Sequence, residues 1–165
     1  MRERPKIKLG LTKLDIFFEI IGWAFMLAVW ILVIANYSNL PDVIPIHYNI
    51  AGEADGFGGK ENLLILPLVA TVLFIGMTIL NRFPHIFNYP TIITEDNVLQ
   101  QYTNMTRIIR YLKFVLVLIF GWIAFRAIQD ATGYSEGLGN WFSVLISVAI
   151  FIPLVYFIVK SLRIK

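Results

Sequence analysis

The stretch LPDVIPIHYNIAGEADGFGGK, residues 40–60, concentrates the polar chemistry of the chain, with His47, Asn49, Glu53, Asp55 and Lys60 in a single loop. Imidazole and carboxylate together are ligands for a divalent metal. One His with two acids is an incomplete ligand set, and the second histidine, His85, lies in a different loop. No metal is expected here. A histidine on an exposed loop is also the side chain suited to sensing acidity. Nucleophilic catalysis has little to work with: Ser38 and Ser135 are the nearby hydroxyls, and no base with an orienting partner is assembled around either. No catalytic residues are assigned, and enzyme activity is not the expected role. Much of the loop reads as turn chemistry. Pro41 and Pro45 fix φ and disfavour helix in the residues before them, so 43–48 reads as extended. Gly52, Gly56, Gly58 and Gly59 permit turns, and Asn49 and Asp55 bond nearby backbone. The candidate ligand-binding set is His47, Asn49, Gly52, Glu53, Asp55 and Lys60.

Three further charges stand inside apolar runs: Glu19, Lys113 and Arg126. Charges at such depth invite a functional reading, such as a proton or ion path. At 1.5 Å rise per residue, Glu19 and Arg126 differ in depth by roughly 15 Å or more, so they do not form a direct relay. Lys113 or Arg110 enters its run at about the depth of Glu19. Arg126 is expected to snorkel outwards or to meet Asp130, Glu53 or Asp55. Two anchored pairs at opposite faces is the simpler reading, because polar residues near mid-depth are few.

The elements that must position these groups are membrane spans. Of 165 residues, 58% are hydrophobic and only 15% charged, with mean hydropathy +0.71. A soluble domain is about half apolar and a quarter charged. Runs of roughly 20 apolar residues cross a bilayer as helices, which satisfy their own backbone groups. Four qualify, at about 16–37, 62–80, 111–128 and 141–159. The first is too long for a signal peptide and lacks a small-residue cleavage site, so it is read as retained. There are no cysteines, which excludes disulfides and thiolate chemistry within the chain. A net charge of +3, spread over short flanking segments, is no nucleic-acid signal, and no cofactor is implied.

Lys and Arg alternate along the chain. The tail 1–15 has Arg2, Arg4, Lys6, Lys8 and Lys13, and loop 38–61 has only Lys60. Segment 81–110 has Arg82, Arg107 and Arg110, loop 129–140 has none, and tail 160–165 has Lys160, Arg163 and Lys165. The positive-inside rule then places both termini in the cytoplasm and loop 40–60 outside. The expected fold is an all-α membrane protein, a single domain of four transmembrane helices in an up-down bundle with an ordered outer loop between the first two. Thr94 reads as an N-cap followed by Glu95 and Asp96, with Val98, Tyr102, Met105, Ile109 and Leu112 at helical spacing. One helix is therefore expected from about Glu95 through the third span, its first turns packing under the bundle or presenting a partner-binding face. Gly22, Ala24, Ala28, Gly121, Ala124, Ser143 and Ser147 are small enough for close helix approach. Pro153 should kink the fourth span, since it offers no donor to the carbonyl of Ala149. Trp23, Trp30, Trp122 and Trp141 suit interfacial anchoring or packing.

Leu40-Pro41, Ile44-Pro45-Ile46-His47-Tyr48-Asn49, Gly52-Glu53-Ala54-Asp55-Gly56-Phe57 and Lys60 resemble the LP–IPxHxN–GxxDxxxxK pattern of a bacterial multi-pass membrane family, domain of unknown function 1648. That family is related to the N-terminal part of the sporulation-delaying-toxin immunity protein. The resemblance covers mainly residues 15–80 and implies a bacterial inner-membrane location but no catalytic residues. The first functional reading is a membrane binding protein whose outer loop captures an extracellular peptide, lipid or partner protein, in toxin immunity or envelope signalling. Its acids Asp42, Glu53, Asp55 and Glu61 suit a cationic peptide. The alternatives are a small membrane enzyme or transporter subunit, with His47 and Asp55 or Glu19 and Arg126 in the working roles, and a structural subunit of a larger membrane complex.

Overall fold

A computed structural model describes residues 4–164; Arg2 and Lys165 of the terminal tails lie outside the described residues. Among the described residues, four helices are long and apolar enough to cross a membrane. They are α1 (Lys13–Tyr37), α2 (Ile65–Leu80, entered through a 3-10 turn, Lys60–Leu64), α3 (Val98–Ala131) and α4 (Phe142–Arg163). The loop between α1 and α2 folds into an antiparallel hairpin, β1 (Val43–Tyr48) and β2 (Ala54–Gly59). The extended piece expected around Pro45 is β1. The hairpin and the α3–α4 loop share one end of the molecule, and the tails share the other.

α1 starts on a capping box. Thr12 Oγ1 accepts from the Asp15 amide, and Asp15 Oδ2 accepts from the Thr12 amide at 2.9 Å. Two otherwise orphaned donors are thereby satisfied. The buried stripe of α1 is Asp15, Gly22, Met26, Val29 and Val33. Gly22 lets the Phe74 ring approach so closely that an added Cβ would stand 2.9 Å from it, and at Gly121 it would stand 2.8 Å from Val29. Met26, Val29, Ala70, Phe74 and Val117 form the core between α1, α2 and α3. Ala24, Ala28 and Ser147 are exposed rather than at helix contacts. The first two fall off the buried stripe, and the hydroxyl of Ser147 bonds its own helix at Ser143 O.

α3 is the central helix, and α1 and α2 pack on one side of it. α4 packs on α3, and only 6% of its most apolar window is buried, against 33% for α3. The bundle is thus three packed helices with a fourth on the flank. Pro153 lies within α4, and the carbonyl it leaves without a donor, Ala149 O, accepts from Tyr111 Oη of α3 at 2.9 Å. A helix facing lipid has no water to take that place. Tyr111→Phe should therefore cost about 1–3 kcal/mol, the penalty of an unpaired buried acceptor, when unfolding is followed by detergent titration. An unchanged midpoint would show that the proline carbonyl needs no partner.

α3 begins at Val98, three residues later than the Thr94–Glu95 signal suggests. Thr94 and Asn97 exchange bonds, the Thr94 amide to Asn97 Oδ1 at 2.9 Å and the Asn97 amide to Thr94 Oγ1 at 3.3 Å, so residues 95–97 make a turn before the helix proper. Its first turns pack under the bundle. Gln101 and Tyr102 are fully buried; Gln101 Nε2 donates to Ser161 O at 2.9 Å, Asn104 Nδ2 to Phe157 O at 2.9 Å, and Tyr102 Oη to Pro5 O at 3.1 Å.

Candidate functional site

The hairpin is docked on the bundle. Ile44 and Leu63 bury against Val33, Leu40, Ala124, Ala127 and Ile128 of the helix ends. Ile46 and His47 of β1 remain exposed. Lys60 anchors the hairpin base. Its amide donates to Asp42 O at 3.1 Å, its Nζ lies 3.2 Å from Asp42 Oδ1 and 3.4 Å from Leu40 O, and its ammonium stands 5.8 Å from the Tyr37 ring centre. His47 Nδ1 and Asp55 Oδ1 pair across the strands at 2.5 Å, with side chains 70% and 44% exposed. Gly56 sits opposite His47 because a Cβ there would come within 2.9 Å of the His47 Cβ.

Asn49, Gly52 and Glu53 build the hairpin turn. Asn49 Oδ1 accepts from the Glu53 amide at 3.0 Å, Asn49 Nδ2 donates to Glu53 Oε2 at 2.9 Å, and the Gly52 amide donates to Asn49 O at 2.9 Å. The sequence-named residues therefore fall into three groups: His47 with Asp55, Asn49 with Gly52 and Glu53, and Lys60 with Asp42.

The hairpin also meets the α3–α4 loop. The Leu138 amide donates to Gly52 O at 2.7 Å, and Tyr48 Oη donates to Asp130 Oδ2 at 3.0 Å. Burial, and then the bond to the Asp130 carboxylate, push the Tyr48 phenol well above its ordinary pKa, so it remains a donor. Asp130 organises the loop, since Oδ1 accepts from Ser135 Oγ at 2.6 Å and from the Gly137 amide at 3.0 Å. Arg126 meets neither Asp130 nor the hairpin acids. Its Nε donates to Gly137 O at 2.6 Å, and its Nη1 and Nη2 reach Gln129 Oε1 and Glu136 O at 3.5 Å. The loop folds back over the end of α3, so its carbonyls are nearer to the guanidinium than any acid.

Between hairpin and loop lies a cleft of about 530 Å³ lined by Glu53, Phe57, Asp130, Ser135 and Glu136, with no Lys or Arg in its lining. The Glu136 carboxylate is exposed, with no hydrogen-bond partner among the described residues. Exposed Ile46, Ile50 and Tyr134 occur at the same end. Glu136 and the depth of the cleft were missed by local reading; Asp130 was named only as a partner for Arg126. Among the described residues, no three His, Cys, Asp or Glu side chains converge as a metal set, and no serine lies within hydrogen-bond distance of His47. Gly52 is where the two loops touch. Its φ is +84°, and an added Cβ would stand 2.7 Å from Gly139 O. Gly52→Ala should separate the loops and lower stability by about 1–3 kcal/mol; cross-linking yield between cysteines introduced at positions 51 and 138 should drop with it, and undiminished yield would contradict the contact.

The second polar centre lies at the termini end, within the helices. Glu19 Oε2 receives Lys113 Nζ at 2.6 Å and Glu19 Oε1 receives Arg110 Nε at 3.2 Å. Asp15 Oδ1 lies 3.4 Å from both Arg107 Nε and Arg110 Nη1. Lys113 is fully buried, also donates to Thr78 Oγ1 at 2.8 Å, and stands 4.5 Å from the Phe74 ring centre. The depth argument found Glu19 with Lys113 and Arg110; it missed Asp15 and Arg107. Arg126, at the hairpin end, takes no part.

Residues 24–71 match the family described as Domain of unknown function (DUF1648). An uncharacterized protein of Archaeoglobus fulgidus is 34% identical over 97 residues, which is 54% of this chain and 53% of that protein. The chain thus spans about half the length of the curated relative it matches. No solved structure matches. The matched segment runs from α1 through the hairpin into α2, and the chain is a multi-pass membrane protein whose first two spans and hairpin are similar to that family.

Proposed function

We propose that the chain is a binding protein whose hairpin end faces outside the cell and captures a cationic, partly apolar peptide in the cleft between the hairpin and the α3–α4 loop. The observation that carries this reading is the lining of that cleft, in which Glu53, Asp130 and Glu136 gather without a cation. Complementary charge raises the on-rate and selects against acidic partners. Phe57 in the cleft, with Ile46 and Ile50 exposed nearby, gives the apolar face of an amphipathic peptide something to cover. Orientation follows from the cations: Lys60 and Arg126 stand at the hairpin end, whereas Lys6, Lys8, Lys13, Arg82, Lys160 and Arg163 stand at the termini end. The membrane is the cell membrane, with both termini cytoplasmic. His47 and Asp55 lie beside the site, hydrogen-bonded to each other across the strands.

The test is protection. A sensitive bacterium expressing the chain is challenged with secreted cationic peptides, beside His47→Ala, Asp55→Ala and Glu53→Gln/Glu136→Gln at matched membrane levels. Capture predicts survival that falls most in the Glu53/Glu136 variant. Protection unchanged by all three variants would remove the hairpin end from the mechanism, and toxin immunity is the biological outcome that protection would establish.

A further inference from the structure

A second cleft, of about 500 Å³, opens at the termini end between the tail, Glu19 of α1, Thr78 of α2, the 81–84 turn and Arg110 of α3. The tail is strapped across this end. Arg4 donates to His85 O at 3.3 Å and to Phe87 O, and its guanidinium stands 5.5 Å from the Tyr89 ring centre. Pro5, Ile7 and Leu9 are half-buried, whereas Lys6 and Lys8 are exposed.

The cleft is unbalanced in charge. Among the described residues, Asp15 and Glu19 are the only carboxylates of the cluster at its floor, and Arg107, Arg110 and Lys113 are all engaged with them. Lys8 and Arg82 line the cleft with no hydrogen-bond or ion-pair partner among the described residues. Five cations therefore face two acids. Arg110 is 8% exposed and lines the cleft, yet its Nη2 has no partner among the described residues. That donor is open to the cleft, and an anion there would meet it in a charge-assisted bond. Asn81, also in the lining, carries a buried side-chain oxygen with no donor among the described residues. The ligand chemistry that answers both is an anionic oxygen cluster carrying a hydroxyl.

The position selects the source. The cleft lies where α1 and α2 reach their termini end, at headgroup depth for helices that cross a membrane. Ile7, Leu9 and Leu11 line it, and below it α1 and α2 present exposed Phe17, Ile20, Ile75 and Ile79. We propose that this cleft is a binding site for an anionic glycerophospholipid of the glycerol-headgroup type, with its phosphate held by Lys8, Arg82 and Arg110, its headgroup hydroxyl donating to Asn81, and its acyl chains along α1 and α2. The site is separate from the peptide cleft at the opposite end and does not depend on it.

The experiment is native mass spectrometry of the full chain in detergent, titrated with dioleoyl phosphatidylglycerol or dioleoyl phosphatidylcholine. Lys8→Ala/Arg82→Ala is compared with Lys160→Ala/Arg163→Ala, which removes the same charge from the same end. Retention of phosphatidylglycerol over phosphatidylcholine is expected, with about a tenfold or larger loss of affinity in the Lys8/Arg82 variant, because charge-assisted bonds are the strong ones. The Lys160/Arg163 variant should stay within about twofold of wild type, as screened surface charges do. Equal retention of the two lipids, or equal losses in the two variants, would overturn the site. A further arm adds inorganic phosphate or glycerol phosphate at millimolar concentration: no displacement of the lipid is expected, and displacement would overturn the lipid in favour of a free phosphate ligand.

Discussion

Glu19→Ala should destabilise the helix bundle by about 3–5 kcal/mol, the cost of breaking a buried ion pair from one side. Lys113 is fully buried and has no other carboxylate partner among the described residues; Thr78 Oγ1 and the Phe74 ring would be its remaining company. Arg110 would keep Asp15. The reverse change is milder. Lys113→Met leaves Glu19 bonded to Arg110 at 3.2 Å and brings the cluster nearer neutrality, since its three cations face two carboxylates. The order Glu19→Ala worse than Lys113→Met therefore follows from the charge left behind rather than from the bond removed. Glu19→Met/Lys113→Met should recover part of the loss, because contacting residues couple by about 0.5–3 kcal/mol. Unfolding by detergent titration in bicelles reads all three. Equal losses in the two single variants, with no recovery in the double, would mean that the pair contributes packing alone.

Glu53→Gln/Glu136→Gln should weaken binding of a cationic peptide at low salt by about ten- to thirtyfold, with little change in stability. Each carboxylate contributes on the order of 1 kcal/mol when an ammonium approaches it through water-like dielectric. Glu136 makes no side-chain hydrogen bond among the described residues, and Glu53 loses little, because glutamine still accepts from Asn49 Nδ2. Raising the salt should shrink the difference between variant and wild type, as the Debye length falls from about 10 Å at 0.1 M to about 3 Å at 1 M. Asp55→Asn should have a smaller effect, because His47 already engages that carboxylate at 2.5 Å. Asp130 is the wrong residue for this comparison. It holds Tyr48, Ser135 and Gly137, so its loss would collapse the loop as well as remove a charge.

Helix count, the extended residues around Pro45 and the partners of Glu19 were legible because each rests on local pattern or on depth. β2 was not legible. Its sequence, ADGFGG, has none of the β-branched residues that favour strands, and it is held by a partner strand pinned to the bundle through Ile44. The flank position of α4 was hidden as well, since four runs apolar all round do not say which faces meet. Pro153 did point to a freed carbonyl at Ala149, but nothing local says that Tyr111 would fill it. Arg126 illustrates a limit of charge pairing: acids lay within sequence reach, and the fold presented carbonyls of Glu136 and Gly137 instead. The acidic cleft joins Gly52 to Leu138, a contact between loops far apart in the chain that no spacing rule anticipates. The loop residues were named as a ligand set, but only the α3–α4 loop turns part of that set into a cleft.

The most direct measurement is a titration of the full chain, reconstituted in nanodiscs, with a fluorescent amphipathic peptide carrying several lysines, beside a peptide of the same apolar residues with glutamates in their place. The account predicts saturable binding of the cationic peptide, weakened by salt and by Glu53→Gln/Glu136→Gln, and none of the acidic one. Equal binding of both peptides, or binding of the cationic one that the double variant leaves unchanged, would contradict it.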